Sequence, residues 1–278
     1  MMISAKFSLD FSYPELERCW AAADRLGFAS IWDYDHFYGH TTPTDPTFEA
    51  YTALAAMAVV VKRARIACVV PSVTYRNPAL LAKMAVTVDH ISGGRLDFGL
   101  GAGWLELEHR GYGIPFPPAG ERVAMLDEAL TIIRRLWTED SVSFTGRFFT
   151  LEDALCFPKP IQHPYPPIIV GGSKPKMMRV VARHADEWNM PGHDGPEAWG
   201  AANDELDAVC AEVGRDPKTI RRSTQLSLRL DEPGQVEAQL ALLPEFERVG
   251  CEHAALAFRQ PPTAELLERC AGLNDHRQ

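Results

Sequence analysis

A chain of 278 residues and 30.9 kDa can hold two ordinary domains or one α/β barrel, and it is too long for a single small sandwich or bundle. Its hydrophobic share of 46% and charged share of 23% are those of globular proteins, which excludes disordered and collagen-like chains. With 37 acidic residues against 28 Lys and Arg, the net charge of −9 disfavours nucleic acid and anionic membrane surfaces as partners.

Targeting and redox features predict a cytoplasmic protein. No apolar run reaches the roughly 18 to 20 residues of a membrane span, and the N-terminus lacks the charged-then-apolar layout of a signal peptide. The cysteines are far apart and form no C-x-x-C pair, so we expect reduced and mostly buried thiols at Cys19, Cys68, Cys156, Cys210, Cys251 and Cys270.

Short β-type runs alternate with helical stretches along the whole chain. We predict eight strands, of which the first ends at Phe7–Leu9 and the others lie at Phe28–Tyr34, Ile66–Val70, Leu96–Gly103, Ile168–Val170, Asp186–Met190, Ser223–Arg229 and His253–Phe258. Helices follow, several of them beginning at a proline such as Pro14, Pro46 or Pro78. The proline-rich stretch 141–166 is not a central strand, and we expect an insertion that forms a small hairpin over the barrel mouth.

Eight β-then-α units indicate one (β/α)8 TIM barrel over residues 1–278, with the proline-rich insertion between the fourth and fifth strands. Parallel strands need crossover helices, and closure of the sheet removes both of its edges. A doubly wound open sheet is the alternative, because the number of strands does not prove closure. In a barrel, the candidate site lies on loops at the carboxyl ends of the strands.

The predicted fourth strand carries glycine at alternate positions. Gly99, Gly101 and Gly103 share one face with Asp97, since side chains alternate along a strand. If this face points inward, it leaves a bare backbone wall near the mouth where a flat ring system could lie. The alternative is a bulge or tight packing. The pattern is not the dinucleotide fingerprint G-x-G-x-x-G, because Trp104 breaks it and no helix follows at once.

A second glycine pair follows the predicted fifth strand. Backbone N–H groups of Gly171, Gly172 and Ser173, together with the Ser173 hydroxyl and the start of a helix, predict a site for a phosphate. Positive charge is nearby at Lys174, Lys176 and Arg179. The alternative is an ordinary turn from strand to helix with a solvated basic face.

Titratable side chains cluster after the predicted second strand. Asp33, Asp35, His36 and His40 could ligate zinc or iron, as in a barrel hydrolase, although neither H-x-H nor H-E-x-x-H occurs. A more economical interpretation makes His36 a hydrogen-bonding group beside a cofactor or substrate, and a structural loop histidine is the third alternative. The Glu- and Arg-rich segment after Trp104 is typical of a solvated helix surface.

Six segments together resemble the bacterial luciferase-like monooxygenase superfamily, most closely its deazaflavin-dependent oxidoreductase branch. They lie in the order of that family over about residues 3–190: Tyr75–Pro78, Ser92–Leu96, Gly99–Trp104, Glu108–Pro115, Gly171–Ser173 and Ala185–Asn189. The resemblance implies a TIM barrel that binds the deazaflavin coenzyme F420, or alternatively FMN, at its C-terminal mouth.

The resemblance also implies roles for particular residues. It places a non-proline cis peptide at Cys68–Val69 behind the ring, and it puts His36 near the reacting centre as the candidate catalytic residue. The implied cofactor-binding residues are Asp35, Cys68, Val69, Gly101, Ala102, Gly103, Gly171, Gly172 and Ser173, and Phe37 and Trp104 would wall the substrate pocket. Sugar-phosphate and alcohol dehydrogenases of the superfamily carry glutamates where this chain has Asp10-Phe11 and Trp104, which argues against those substrates.

The implied activity is hydride transfer between reduced F420 and a small organic substrate, in a homodimer. With FMN, and with a separate flavin or F420 reductase as partner, the activity would be a monooxygenase. A non-catalytic flavin-binding protein and a metal-dependent barrel hydrolase are the alternatives from other classes.

Overall fold

The computed structural model describes residues 1–39 and 42–274. Ten strands lie in this part of the chain: β1 Met2–Phe7, β2 Ser30–Asp33, β3 Arg65–Cys68, β4 Leu96–Leu100, β5 Val142–Thr145, β6 Thr150–Ala154, β7 Ile168–Gly171, β8 Glu187–Pro191, β9 Arg221–Leu228 and β10 His253–Phe258. The α-helices are α1 Tyr13–Leu26, α2 Ala50–Val60, α3 Pro78–Ser92, α4 Glu106–Tyr112, α5 Ala119–Thr138, α6 Pro175–His184, α7 Gly195–Val213, α8 Gln235–Ala241, α9 Leu243–Arg248 and α10 Ala264–Ala271.

Eight of the strands are parallel and close into a barrel. Their order around it is β1-β10-β9-β8-β7-β4-β3-β2, and helices cross over between successive strands. This arrangement confirms the TIM barrel, and the doubly wound open sheet is wrong because β1 pairs with both β2 and β10. The carboxyl ends of all eight strands therefore meet at one mouth.

The barrel strands separate two cores. The larger core lies between the sheet and the helices and receives outward side chains such as Phe98 and Val170. A small plug fills the interior, and it consists of Trp32, Ala67, Val69, Ile169 and Ala255.

Capping residues explain where α3 begins and ends. The Asn77 carboxamide oxygen accepts hydrogen bonds from the backbone N–H groups of Ala79 and Leu80, and Pro78 stands at the first helical position. Gly93, at φ 68°, ends the helix in the left-handed region. The predicted start and end of this helix are confirmed.

Other boundaries differ from the prediction. The second helix begins at Ala50 rather than at Pro46, because the Glu49 carboxylate caps the N–H groups of Tyr51 and Thr52. The fourth strand stops at Leu100, and only Gly101 continues it through an isolated bridge to Ser72.

The non-proline cis peptide joins Val69 to Val70, so the position implied by resemblance, Cys68–Val69, is wrong by one residue. Because β3 ends at Cys68, the irregular segment begins only after that residue.

The proline-rich insertion is a hairpin, but its expected place over the mouth is wrong. Strands β5 and β6 pair antiparallel, and the segment that follows them is tied to the ends of two outer helices. Lys159 Nζ donates to the Leu136 carbonyl in α5 at 2.8 Å, and Ile161 N donates to Asp89 Oδ2 in α3 at 2.7 Å. The insertion therefore lies against the helical layer.

All six cysteines are buried and free, as predicted. Within the described ranges, no helix combines the length and the apolar character needed to cross a membrane.

Candidate functional site

A pocket of about 430 Å³ opens at the carboxyl ends of the barrel strands, a size within the usual range for sites of small molecules and cofactors. Its lining comes from β1, β7, β8 and β9, from the loops after β2, β3, β4, β7 and β10, and from α6: Lys6, Tyr34, Asp35, His36, Val69, Val70, Ser72, Tyr75, Gly101, Ala102, Gly103, Trp104, Leu105, Gly171, Gly172, Met177, Asn189, Pro191, Gln225 and Arg259. This is where the sequence placed the site.

The glycine face of β4 points inward, as expected, but it is not an open slot. A Cβ on Gly99 would lie 2.0 Å from the Cys68 carbonyl oxygen, and one on Gly101 would lie 2.7 Å from Val70 Cγ2. The irregular segment after β3 therefore occupies the space that these glycines provide. The wall of the pocket is this segment, chiefly Val69 and Val70, supported from behind by glycine.

Of the other residues predicted on this wall, most line the pocket and one does not. Gly101, Ala102 and Gly103 line the pocket beside Val69, whereas Cys68 does not. The Cys68 side chain is buried in the outer core, and only its carbonyl faces Gly99. A Cβ on Gly103 would lie 2.1 Å from Ser72 Oγ, so this glycine also makes room for the segment after β3.

His36 lines the pocket and is held by a buried glutamate. Its Nδ1 lies 3.0 Å from Glu108 Oε2, and the same carboxylate accepts hydrogen bonds from the backbone N–H groups of Phe37 and Tyr38 and from the Tyr75 hydroxyl. Burial opposes the charge, but the hydrogen bonds from His36 and Tyr75 lower the pKa of Glu108 to about 2. An ionised Glu108 can orient the His36 ring and stabilise its protonated form.

The segment after Trp104 is a solvated helix surface on one side only, because Glu106, Arg110 and Tyr112 of α4 are exposed whereas its inner side is not. Glu108 and His109 on α4 are both fully buried, and His109 Nε2 makes a 2.6 Å hydrogen bond with the Thr74 hydroxyl. The expectation of a solvated surface is therefore wrong only for Glu108 and His109, whose side of α4 packs on the loops that form the mouth.

Asp35 is paired with an arginine. Its two carboxylate oxygens accept hydrogen bonds at 2.6 and 2.9 Å from Arg76, which also pairs with Glu49. This bidentate pair fixes the backbone immediately before His36. Asp35 thus borders the pocket, but its charge is already balanced by Arg76.

A polar network, which the sequence analysis did not identify, crosses the inner face of three strands. Lys6 Nζ on β1 donates to the Val69 carbonyl at 2.7 Å and to Gln225 Oε1 on β9 at 2.6 Å. Gln225 Nε2 donates to Asn189 Oδ1 on β8, and Asn189 Nδ2 donates to Ser223 Oγ at 3.0 Å. Burial, and then the charge of Arg259, lower the pKa of Lys6 to about 7.

The two residues predicted to wall the substrate pocket have different positions. Trp104 lines the mouth with 69% of its surface exposed, and its ring meets that of His36 edge-on at 5.6 Å. Phe37 lies outside the lining and packs between Tyr75 and Tyr112, with 4.4 Å between ring centroids on each side. Phe37 therefore supports the pocket from behind.

The predicted phosphate loop is only partly at the pocket. Gly171 and Gly172 line it, whereas Ser173 does not. The Gly172 N–H donates to the Asn189 carbonyl at 3.1 Å, and Arg179 is directed away, to Glu212. Phosphate binding at this loop stays a prediction.

The metal alternative gains no support from the described ranges, 1–39 and 42–274. They contain no group of three or more His, Cys, Asp or Glu side chains placed to hold an ion. His40, one of the four side chains in that hypothesis, lies outside the described residues.

Several pocket residues were missed because their partners are distant in sequence. Lys6, Asn189 and Gln225 each stand on a different strand, and Glu108 is 72 residues from His36. One signal was present: Lys6 is the only charged residue in β1, and a lysine in an otherwise apolar or small-residue strand indicates a paired or functional inward position.

The pocket suits a planar ring of the flavin type. One wall is backbone and valine at Val69–Val70 with the loop Gly101–Gly103 beside it, and this wall presents few side-chain atoms to a flat ligand. Hydrogen-bonding groups come from Lys6, Gln225 and Asn189, which match the polar edge of a pyrimidinedione ring. His36 and Trp104 complete the opening.

Comparison with known proteins finds solved structures that share the fold of this chain and a family model that matches its sequence. A solved structure of an F420-dependent secondary alcohol dehydrogenase, in complex with an F420-acetone adduct, matches with a TM-score of 0.81 at 19% identity and 96% coverage of both chains. An F420-dependent glucose-6-phosphate dehydrogenase of Intrasporangium calvum is 33% identical over 76% of this chain and 64% of its own length.

A second relative has another cofactor. An FMNH(2)-dependent dimethylsulfone monooxygenase of Pseudomonas putida is 32% identical over 55% of this chain and 44% of its own length. This chain thus spans about half to two thirds of the relatives that it matches. The family model described as luciferase-like monooxygenase covers residues 2–265. The chain therefore belongs to the luciferase-like monooxygenase family.

Proposed function

We propose that this protein is an F420-dependent oxidoreductase that transfers a hydride between the deazaflavin and a small organic substrate. The observation that carries the proposal is the pocket itself, in which the bare Val69–Val70 wall and the His36–Glu108 pair border one cavity. Family membership and the F420-dependent relative from Intrasporangium calvum support the choice of cofactor. When bound, the deazaflavin supplies or accepts the hydride.

The residues of this chain provide position and a proton. The wall at Val69–Val70 would hold the ring, and Trp104 would cover the substrate at the mouth. His36 would give a proton from Nε2 to the substrate atom that becomes electron-rich as the hydride arrives, or take it back in the reverse direction. Glu108 keeps the His36 ring oriented through Nδ1 and stabilises the protonated ring.

An FMN-dependent monooxygenase that receives reduced flavin from a separate reductase is the second candidate. The relative from Pseudomonas putida favours it. Both candidates use the same pocket, so they differ in which ring binds and in whether oxygen is consumed. Assembly as a homodimer and location in the cytoplasm stay predictions.

Parallel titrations of the protein with F420 and FMN, followed by absorbance and tryptophan fluorescence, test the proposal. We expect tighter binding of F420, because the F420-dependent relative aligns with 76% of this chain and the FMNH(2)-dependent relative with 55%. A clear preference for FMN would support the second candidate, and failure to bind either cofactor would overturn both.

The variant His36→Ala tests the role of the histidine. We expect F420 binding within about threefold of wild type and a loss of turnover of about 100-fold or more, since general acid–base catalysis typically contributes that much. Turnover is measured as the change in F420 absorbance with a panel of small carbonyl and alkene substrates. A wild-type protein that binds F420 but turns over nothing in this panel would favour a non-catalytic carrier.

A further inference from the structure

A buried lysine lies inside the pocket beside its backbone wall. Lys6 is only 9% exposed, and its two hydrogen-bond acceptors, the Val69 carbonyl and Gln225 Oε1, are neutral oxygens. An ammonium group has three N–H donors, so two of them are directed to these oxygens. The Lys6 charge is thereby held at the edge of the wall formed by Val69 and Val70.

Positive charge is concentrated in this part of the pocket. Arg259, after β10, also lines it, and the two cations repel each other, which adds to the effect of burial in lowering the pKa of Lys6. Asp35, the carboxylate in the same lining, is engaged by Arg76 in a bidentate pair. A negative charge on a bound ligand would therefore be stabilised near Lys6.

The hydrogen bond from Lys6 also sets the direction of the neighbouring amides. Because Gln225 Oε1 accepts from Lys6, Gln225 Nε2 is the atom that donates to Asn189 Oδ1. Asn189 Nδ2 then donates to Ser223 Oγ. The three pocket-lining members of the network thus present a fixed set of polar atoms, with the charge at the Lys6 end.

On the basis of the proposed function, we propose that Lys6 determines cofactor specificity, by binding the negatively charged N1–C2 carbonyl edge of the ring. The 8-hydroxyl of the oxidised deazaflavin is acidic, and its negative charge is delocalised through the ring to that edge at neutral pH. The oxidised flavin ring of FMN is neutral there. A charge-assisted hydrogen bond from Lys6 would therefore favour the deazaflavin.

The experiment uses two probes that share the ribityl tail and differ in the ring, namely 8-hydroxy-5-deazariboflavin and riboflavin. Dissociation constants at pH 7 are measured by fluorescence for wild type, Lys6→Met, Lys6→Arg and Lys218→Met. We expect Lys6→Met to bind the deazaflavin about 10- to 100-fold more weakly than wild type and riboflavin within about threefold. Lys6→Arg should keep most of the preference for the deazaflavin.

Lys218, an exposed lysine far along the chain from the pocket residues, is the matched control. The variant Lys218→Met should change neither dissociation constant.

If Lys6→Met weakens the binding of both probes equally, Lys6 has a merely structural role and the proposal is overturned. The proposal is also overturned if Lys6→Met weakens the binding of neither probe. If Lys6→Met does not fold, as judged by circular dichroism, wild type alone decides. Wild-type binding of riboflavin as tight as that of the deazaflavin would overturn the proposal. Failure of the proposed function gives a different result from failure of this inference, because the wild-type protein would then bind neither F420 nor FMN.

Discussion

At the scale of single residues, the pair His36 and Glu108 links the loop after β2 to α4. Glu108 accepts four hydrogen bonds, including one from His36, so one carboxylate holds both the imidazole and the backbone that follows it. An unpaired ionised carboxylate would be costly in this buried position, which explains why α4 packs with this side toward the mouth. Glu108 is a positioning residue, since it does not line the pocket itself and instead holds His36, Tyr75 and the backbone that follows His36.

Replacing Glu108 by glutamine tests this role. The amide keeps the shape but loses the charge, so we expect Glu108→Gln to lower kcat/KM about 10- to 100-fold, with F420 affinity nearly unchanged. The loss should fall on kcat and leave KM nearly unchanged, because the amide keeps the shape of the site but no longer pairs with the imidazole through a charge. Glu106→Gln, an exposed change in the same helix, serves as the control. An unchanged kcat with lowered stability would mean that Glu108 acts only in folding.

At the scale of elements, the fit between β4 and the segment after β3 shapes the pocket. Gly99 and Gly101 have no side chains where Cys68 and Val70 approach, so the segment after β3 can move inward and form the wall. Glycine costs conformational entropy in a strand, and close backbone approach is the reason it is tolerated here. The missing side chains at Gly99 and Gly101 thus allow the segment after β3 to present its backbone to the pocket.

The variant Gly99→Ala tests this fit. Its Cβ would lie 2.0 Å from the Cys68 carbonyl oxygen, which is backbone and cannot rotate away. We expect the free energy of unfolding to fall by about 3 kcal/mol, at the upper end of the usual cost of overpacking, and cofactor binding to weaken with it. Urea unfolding measures the first effect. Gly272→Ala, where a Cβ would meet open space, should stay within about 0.5 kcal/mol of wild type, and a similar result for Gly99→Ala would contradict this account.

At the scale of the whole molecule, a buried acid outside the pocket makes stability depend on pH. Asp33 on β2 is fully buried, with no cation of the described residues paired to its carboxyl group, whose side-chain hydrogen-bond partner is the Cys68 thiol. Burial raises the pKa of Asp33 well above its usual range, so the folded protein holds this proton to a higher pH than the unfolded chain does. The unfolded chain releases the proton near pH 4, so above that pH the folded state binds more protons and stability falls as pH rises.

Comparison of wild type with Asp33→Asn isolates this effect. Between pH 5 and pH 7 the stability of wild type relative to the variant should decrease as pH rises, by at most about 1.4 kcal/mol per pH unit, because the amide does not titrate. Urea unfolding at pH 5, 6 and 7 gives the two curves, with the exposed Asp140→Asn as control. Parallel curves for wild type and Asp33→Asn would show that Asp33 is ionised in the folded protein.

The sequence by itself determined the features that depend on near neighbours in the chain. Alternation of strands and helices, caps such as Asn77 and Gly93, and buried cysteines follow from local pattern and composition, and they were enough to predict the barrel and the edge that carries the site. His36 and Trp104 were found because they follow strand ends.

Only the tertiary structure decided which side chains meet. Lys6, Gln225 and Asn189 come together because barrel closure places β1, β10, β9 and β8 side by side, and nothing in the local sequence records that pairing. The same holds for Glu108 at His36 and for the hairpin against α3 and α5. Contacts between residues far apart in the chain depend on the packing of the whole barrel, whereas the pattern within one element depends on its own backbone geometry.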